Sequence, residues 1–410
     1  MAMNTLSVEQ VYTIVNQITQ MVTGTQQAAP VSTAGFVAQA TTALQTGYDP
    51  IINAVSQIMH KTIFSSRAYR PLFAGIRKTN EQYGNHVRKL NPLDMAFERN
   101  DSFSLSDGYS VDQYVVAKPK AVQTNFYGET TYQKHLTIFR EQLDTAFRDP
   151  GELAQFFSMI MTNAQSQIAQ AREELERETV ASFIAAKSLA DSANVIDLVS
   201  AYNQDTGASL TSATVLLPAN FPDFARWTFA YIKTLAMFLE TRSNRYHMNL
   251  TAADIPRHTP RNRQKMVMYA PFVNNVDSRV LSTTFNDEYL KYVEKSLITY
   301  WQTPETPFSI AATPSYTAAD GTITTASEAV EVNNIVGILF DEEAMGHTIV
   351  NEFSDPTPFN ARGGYYNQYW KWTDRYWNDL TENAFVLTLS NGSVENNLVG
   401  TAVVGAAQAG

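Results

Sequence analysis

The sequence contains no cysteine. Disulfides, thiol nucleophiles, Cys-ligated zinc and iron–sulfur clusters are therefore excluded. Basic residues are also few: 30 Lys+Arg against 40 Asp+Glu leave a formal net charge of −10. A surface that wraps nucleic acid needs a basic face, so the balance argues against tight wrapping of nucleic acid by the whole surface. Charge of either sign is scarce, at 17% of residues, where a quarter is usual. No apolar run approaches the roughly 20 residues of a membrane span. The first residues lack the basic and apolar regions of a signal peptide. The expectation is a soluble protein made in the cytosol, with no membrane partner. No GxxxxGK(S/T), GxGxxG, HExxH or GxSxG occurs, which removes the motifs that carry a mechanism at fixed spacing.

What is present is a long chain of 410 residues, 44% of them hydrophobic. It can bury a large core, and its length suggests two or three domains. Residues 1–48 carry one charge, Glu9. Val8, Val11, Tyr12, Val15, Ile18 and Val22 recur at helical spacing and predict an amphipathic helix from about Ser7. Gly24 to Gly47 reads as a low-complexity arm of small and polar residues that orders against neighbouring subunits. A basic stretch follows from Lys61 to Lys89. Asn91 to Tyr114 then alternates polar and apolar residues between turn signals, which predicts a long β-hairpin or loop projecting from a body. Strand-like segments come next at Tyr114 to Ala117, Val122 to Tyr127 and His135 to Phe139.

Asp149 is a good N-cap, Pro150 suits the first helical position and Glu152 completes the capping pattern. The helix they open runs past Lys187, roughly 55 Å long at 1.5 Å per residue. Phe157, Met161, Ala164, Ile168, Ala171 and Leu175 form a narrow apolar seam, so the helix is expected to lie across one sheet. Arg172, Glu173, Glu174, Glu176 and Arg177 read as solvated or paired across turns. Residues 190–345 read as an α/β body. Within it Phe221 to Glu240 and Val276 to Tyr300 are helical, Met266 to Pro271 and Ile335 to Phe340 are strands, and Thr303 to Glu331 is an irregular loop. The last block returns to β patterning at Thr348 to Phe353, Gly364 to Trp377 and Ala384 to Leu389.

Three groups of residues invite a chemical reading. Glu343 and His347, four apart, could share a helix face as metal ligands. No second such pair accompanies them, and an acidic helix start accounts for Asp341-Glu342-Glu343 more simply. Arg257, His258, Arg261, Arg263 and Lys265 form the densest basic cluster, open to two readings: contact with phosphate or an acidic partner, or a solvated loop between Pro256 and Pro260. The aromatic run from Tyr365 to Trp377 could stack sugars or bases. At period two, Tyr366, Trp370, Trp372 and Tyr376 fall on one face and Tyr365, Tyr369 and Trp377 on the other. Aromatics on both faces favour core or interface over an exposed platform.

The order of elements, with the stretches Gly337-Ile-Leu-Phe-Asp341-Glu-Glu-Ala344, Thr357-Pro358-Phe-Asn360-Ala-Arg-Gly363-Gly364-Tyr-Tyr-Asn367-Gln-Tyr369-Trp370 and Asp379-Leu380-Thr-Glu382-Asn383-Ala-Phe-Val386, resembles the major capsid proteins of tailed double-stranded DNA phages. The resemblance implies an α+β Hong Kong 97-type capsid fold. Residues 1–60 would be the N-terminal arm, 61–125 the extended loop and 126–189 a peripheral domain with its spine helix at 149–187. Residues 190–345 would be the axial domain, and 346–410 a return to the peripheral domain plus a tail. It further implies a non-enzymatic shell protein without cofactors, built into pentamers and hexamers and assisted by a separate scaffolding protein and a portal. The shell would enclose DNA with weak contact, in a virion assembled in a bacterial cytoplasm. Arg257, Arg261, Arg263, Lys265, Trp370 and Trp372 are the candidate subunit contacts. No removable N-terminal scaffolding segment is expected, and no Lys–Asn cross-link can be aligned. An encapsulin-like compartment shell, and a soluble enzyme or carbohydrate-binding protein using the aromatic run, are the alternatives.

Overall fold

The computed structural model describes residues 8–24, 30, 32–45, 50, 54, 75–78, 87–95, 104–110, 114, 116, 118–126, 128–146, 150–251, 255–279 and 294–389. The predicted first helix is α1 (Val8–Thr23). Its apolar stripe buries Val11, Ile14, Val15 and Ile18. The segment expected to be a coreless arm instead contains α2 (Thr33–Gln45), with Phe36, Ala40 and Ala43 in the same core as α1. Small residues without charge let this helix approach its neighbours closely, so it packs within its own subunit.

Strand β1 (Val87–Pro92) pairs antiparallel with β2 (Ala121–Phe126), Val87 opposite Phe126 and Pro92 opposite Ala121. The chain between these two strands covers most of the stretch from Asn91 to Tyr114 where the turn signals predicted a projecting hairpin or loop, and much of it lies outside the described residues. The strand expected at Tyr114 to Ala117 is absent at its described positions, 114 and 116. β3 (Glu129–Phe139) leads into α3 (Arg140–Ala146) and then α4 (Pro150–Ala190), the predicted long helix of 41 residues. At 1.5 Å per residue it spans roughly 60 Å. Its expected cap, Asp149, lies outside the described residues.

The next elements are β4 (Val195–Asp197), α5 (Leu198–Thr206), α6 (Ser212–Val215), α7 (Phe221–Glu240), β5 (Gln264–Tyr269), α8 (Ala270–Arg279) and β6 (Glu294–Ile298). The helix predicted over 276–300 is therefore wrong at its far end. Helix α8 is described as far as Arg279, and residues 294–298 form a strand parallel to β5, because pairing with a buried strand outweighs local helical spacing. The Thr-rich stretch expected to be irregular forms two small antiparallel ladders. β7 (Ile310–Ala312) pairs with β10 (Val330–Val332), and β8 (Ser315–Thr317) with β9 (Ile323–Thr325). The chain closes through β11 (Ile335–Asp341), β12 (Met345–Pro356), β13 (Tyr365–Asn378) and β14 (Ala384–Thr388).

Two sheets organise the molecule. One has the order β4-β14-β11-β5-β6, the other β12-β13-β3. All seven residues of β11 are buried. Val336 and Leu339 face α7 and α8, while Ile335, Ile338 and Phe340 face the second half of α4. The first half of α4 crosses the three-stranded sheet as its seam predicted, with Ile160, Ala164 and Ile168 against Tyr366, Trp370 and Trp372. One helix therefore serves two cores. β14 departs from expectation: it does not extend the sheet of β12 and β13 but lies between β4 and β11.

Candidate functional site

Charged side chains are buried at two places where separate parts of the fold meet. The first lies between α4, β12 and β13. His347 Nδ1 is 2.7 Å from Glu176 Oε1, and its Nε2 is 3.4 Å from Asp374 Oδ2. Arg77 donates to the same Glu176 oxygen from Nε at 3.1 Å and Nη2 at 2.8 Å. Arg172 holds Asp374 at 2.9 Å and Glu352 at 3.1 Å. The Tyr376 ring stacks on the imidazole, centroids 4.4 Å apart. Burial opposes the charged imidazole, but Asp374 and Glu176 outweigh it and raise the His347 pKa. The backbone joins in: the His347 N–H donates to the Ile76 carbonyl at 3.0 Å, and the Lys78 N–H donates to the His347 carbonyl at 2.8 Å.

These contacts correct three sequence readings. Arg172, Glu173, Glu176 and Arg177 are buried; Arg177 and Glu173 do pair across a turn, at 2.6 Å, but away from solvent. Glu174 alone of the five is exposed. Residues 341–344 make a turn between two strands rather than a helix start. Glu343 therefore does not share a helix face with His347, and it pairs instead with Arg263 at 2.9 Å. Among the described residues, no cluster of His, Asp or Glu could hold a metal ion.

The second charged junction anchors the β1–β2 hairpin. Lys89 of β1 reaches into a socket made by the turn after β13, where Asp379 is 2.9 Å away and Glu382 is also in contact. Glu343 stands at the rim, 3.7 Å away. Arg257 closes the socket, 3.1 Å from Glu382, and donates to Asn91 Oδ1 at 2.8 Å and to the Thr381 carbonyl at 3.0 Å. Just beyond the end of β1, Arg242 pairs with Asp94. Burial pushes Asp379 up, but Lys89 and Thr381 pull it lower still, so it is the ionised partner of Lys89. Burial prevails at Glu382, pushing its carboxyl up to about 7. Neither junction contains an activated nucleophile; both hold elements in place.

The sequence matches the Phi29-like phage major capsid protein family over residues 13–388. The chain belongs to that family. It is a structural protein of the phage head shell. Among solved structures, the fold is similar to one in the capsid structure of Staphylococcus phage Andhra, at 10% identity and TM-score 0.51, covering 80% of this chain and 87% of that one. A chain from the structure of the head fiber and inner core protein gp22 of native bacteriophage P68 is alike to the same degree, at 11% identity and TM-score 0.52, again covering 80% and 87%. Both share its mixed helix-and-sheet fold. No curated protein matches the sequence. The compartment-shell, enzyme and carbohydrate-binding alternatives find no support in these comparisons.

In this capsid protein the predicted contact residues fall into two groups. Trp370 and Trp372 are buried against α1, α2 and α4 within the subunit's own core. Arg257 is committed to the hairpin socket. Arg261 and Arg263 lie in a short turn before β5, half exposed, paired with Glu240 at 3.3 Å and Glu342 at 2.9 Å. Lys265 is partly buried on β5. The sequence reading passed over His347, Glu176, Asp374, Lys89 and Glu382 as a set. One signal was available: Asp374 shares the parity of Trp370 and Trp372, which puts a carboxylate on the core face and demands a cation opposite.

Proposed function

We propose that copies of this chain close into an icosahedral shell of pentamers and hexamers around packaged double-stranded DNA. The observation that carries this reading is the hairpin. Its first strand is fixed by Lys89, while Tyr109, Tyr114 and Val116, which lie between the two strands in the chain, are each more than three-quarters exposed. Apolar side chains held away from their own core suit burial against a neighbouring subunit. In this arrangement, of the Hong Kong 97 type, residues 61–125 are the extended loop, α4 is the spine of the peripheral domain and residues 190–345 form the axial domain. Arg261, Arg263 and Lys265 add contacts to acidic groups of the next subunit. Scaffolding and portal proteins would be separate chains, assembly would occur in the cytoplasm of a bacterial host, and no catalytic role is assigned. With a net charge of −10 the shell binds its DNA weakly.

Electron microscopy of the purified full chain tests the proposal, with nuclease-protected DNA measured in particles from infected cells. Closed regular particles are expected, losing subunits in molar salt, where screening contracts to about 3 Å. Small oligomers of fixed size under all conditions would refute it.

A further inference from the structure

The β1–β2 ribbon turns one face to the body of the subunit. On β1, Lys89 and Asn91 contact the body, while Arg88 and Leu90 are exposed on the other side. The body holds β1 along a line. Asp379 takes Lys89 at 2.9 Å, Arg257 takes Asn91 at 2.8 Å, and Arg242 takes Asp94 just past the strand. A ribbon fastened along one line can still roll about it. A contact on β2, off that line, opposes the roll. Phe126 is opposite Val87 at the end of the ladder and lies against Trp377 of β13, ring centroids 5.9 Å apart at 35°. That separation is within the favourable range for an aromatic pair.

Trp377 is in turn seated by a glycine. Its register partner on β12 is Gly346, which is buried. A Cβ added to Gly346 would collide with Cζ2 and Cη2 of Trp377. The indole therefore occupies the space that any other side chain would fill. Gly346 has no left-handed backbone, so glycine is required there for room rather than for conformation. A strand glycine covered by an aromatic from the neighbouring strand fixes that ring in place. Trp377 stands at the end of β13, and Asp379 and Glu382 follow in the next turn. One short segment thus receives both strands of the ribbon, β1 through charge and β2 through rings. We propose that Gly346 and Trp377 are positioning residues of the hairpin: they set the roll of the ribbon about β1, and with it the direction in which Arg88 and Leu90 face. In Gly346→Ala the indole, the far end of a half-buried side chain, turns aside and Phe126 loses its seat. A ribbon set at one angle beforehand binds a neighbour at a lower ordering cost. That bearing on assembly rests on the shell reading; the geometry does not.

With no native cysteine in the chain, Lys118→Cys beside β2 and Glu174→Cys on the exposed side of α4 admit a pair of spin labels. Their separation is measured by pulsed electron paramagnetic resonance on the full chain as free subunits. The parent should give one narrow distance. Gly346→Ala, Trp377→Leu and Phe126→Ala should each lose it for a broad or displaced distribution. Phe126→Tyr, which keeps a ring against Trp377, should retain it. A control pair within the body, Glu174→Cys with Lys233→Cys, should be unmoved in every variant, which a general loss of structure would not allow. Trp377→Leu and Phe126→Ala crowd nothing, so they decide the matter if Gly346→Ala does not fold. A parent-like distance in Phe126→Ala or Trp377→Leu, or a control pair that broadens with them, would overturn the inference. Electron microscopy of the same parent chain separates this from the shell reading. A narrow distance without particles would refute the shell and leave the positioning role standing.

Discussion

His347 sets Glu176 against one ring nitrogen and Asp374 against the other, with Arg77, Arg172 and Tyr376 completing its surroundings. Its raised pKa means that the folded chain keeps the proton to a higher pH than the unfolded chain does. The stabilisation is thus complete below the unfolded value of about 6.5 and lost as pH rises through the folded value. Denaturant unfolding across that alkaline limb should show falling stability. His347→Gln should abolish the slope and cost about 3 kcal/mol by stripping two buried carboxylates of a cation; a parent curve flat above neutrality would sink this assignment. Glu382 acts in a different window. Its folded pKa of about 7 exceeds the model-peptide value of 4.5, so its contribution is full at acid pH and declines as pH rises between those values. Glu382→Gln keeps the neutral form throughout. The expected result is a flatter stability curve between those two pH values, measured by the same denaturation series.

At the scale of elements, α4 acts through its buried side. Ile168→Asp places a charge against Trp370 and Trp372, costing several kcal/mol unless it neutralises. Glu174→Ala, on the exposed side, should change stability by only about 0.5 kcal/mol. Equal losses of soluble protein for the two would mean the helix faces the other way. The N-terminal helices make a sharper case. Removing residues 1–46 strips Val15, Ile18 and Phe36 from the core that covers Trp370 and Trp372. The truncated chain should be recovered mainly as aggregate and lose thermal stability. A folded, soluble truncation would show that α1 and α2 are dispensable to the subunit. Helix α1 was legible because Val11, Val15 and Ile18 repeat at helical spacing, and α7 because its apolar residues are dense. Helix α2 was not, since Thr, Gly and Ala make a weak stripe whose meaning depends on what lies beneath it.

For the whole molecule, the sequence carried the first helix, the long helix and the two-faced aromatic strand. It did not carry the joins. Which cation meets which carboxylate depends on strands brought together from distant parts of the chain, and no local period encodes that. The placement of β14 shows the same limit: its five residues are all buried, and nothing in their composition says which sheet receives them. The Lys89 socket has one more consequence, in time rather than in space. Lys89 and Asp379 are separated by 290 positions. At about 5–20 residues per second a ribosome needs roughly 15–60 s to travel that far. For most of that interval both strands of the hairpin have been synthesised but its anchor does not yet exist. The strand carrying Lys89 can be locked in place only after residue 382 has been added, so this join is among the last that a growing chain can make.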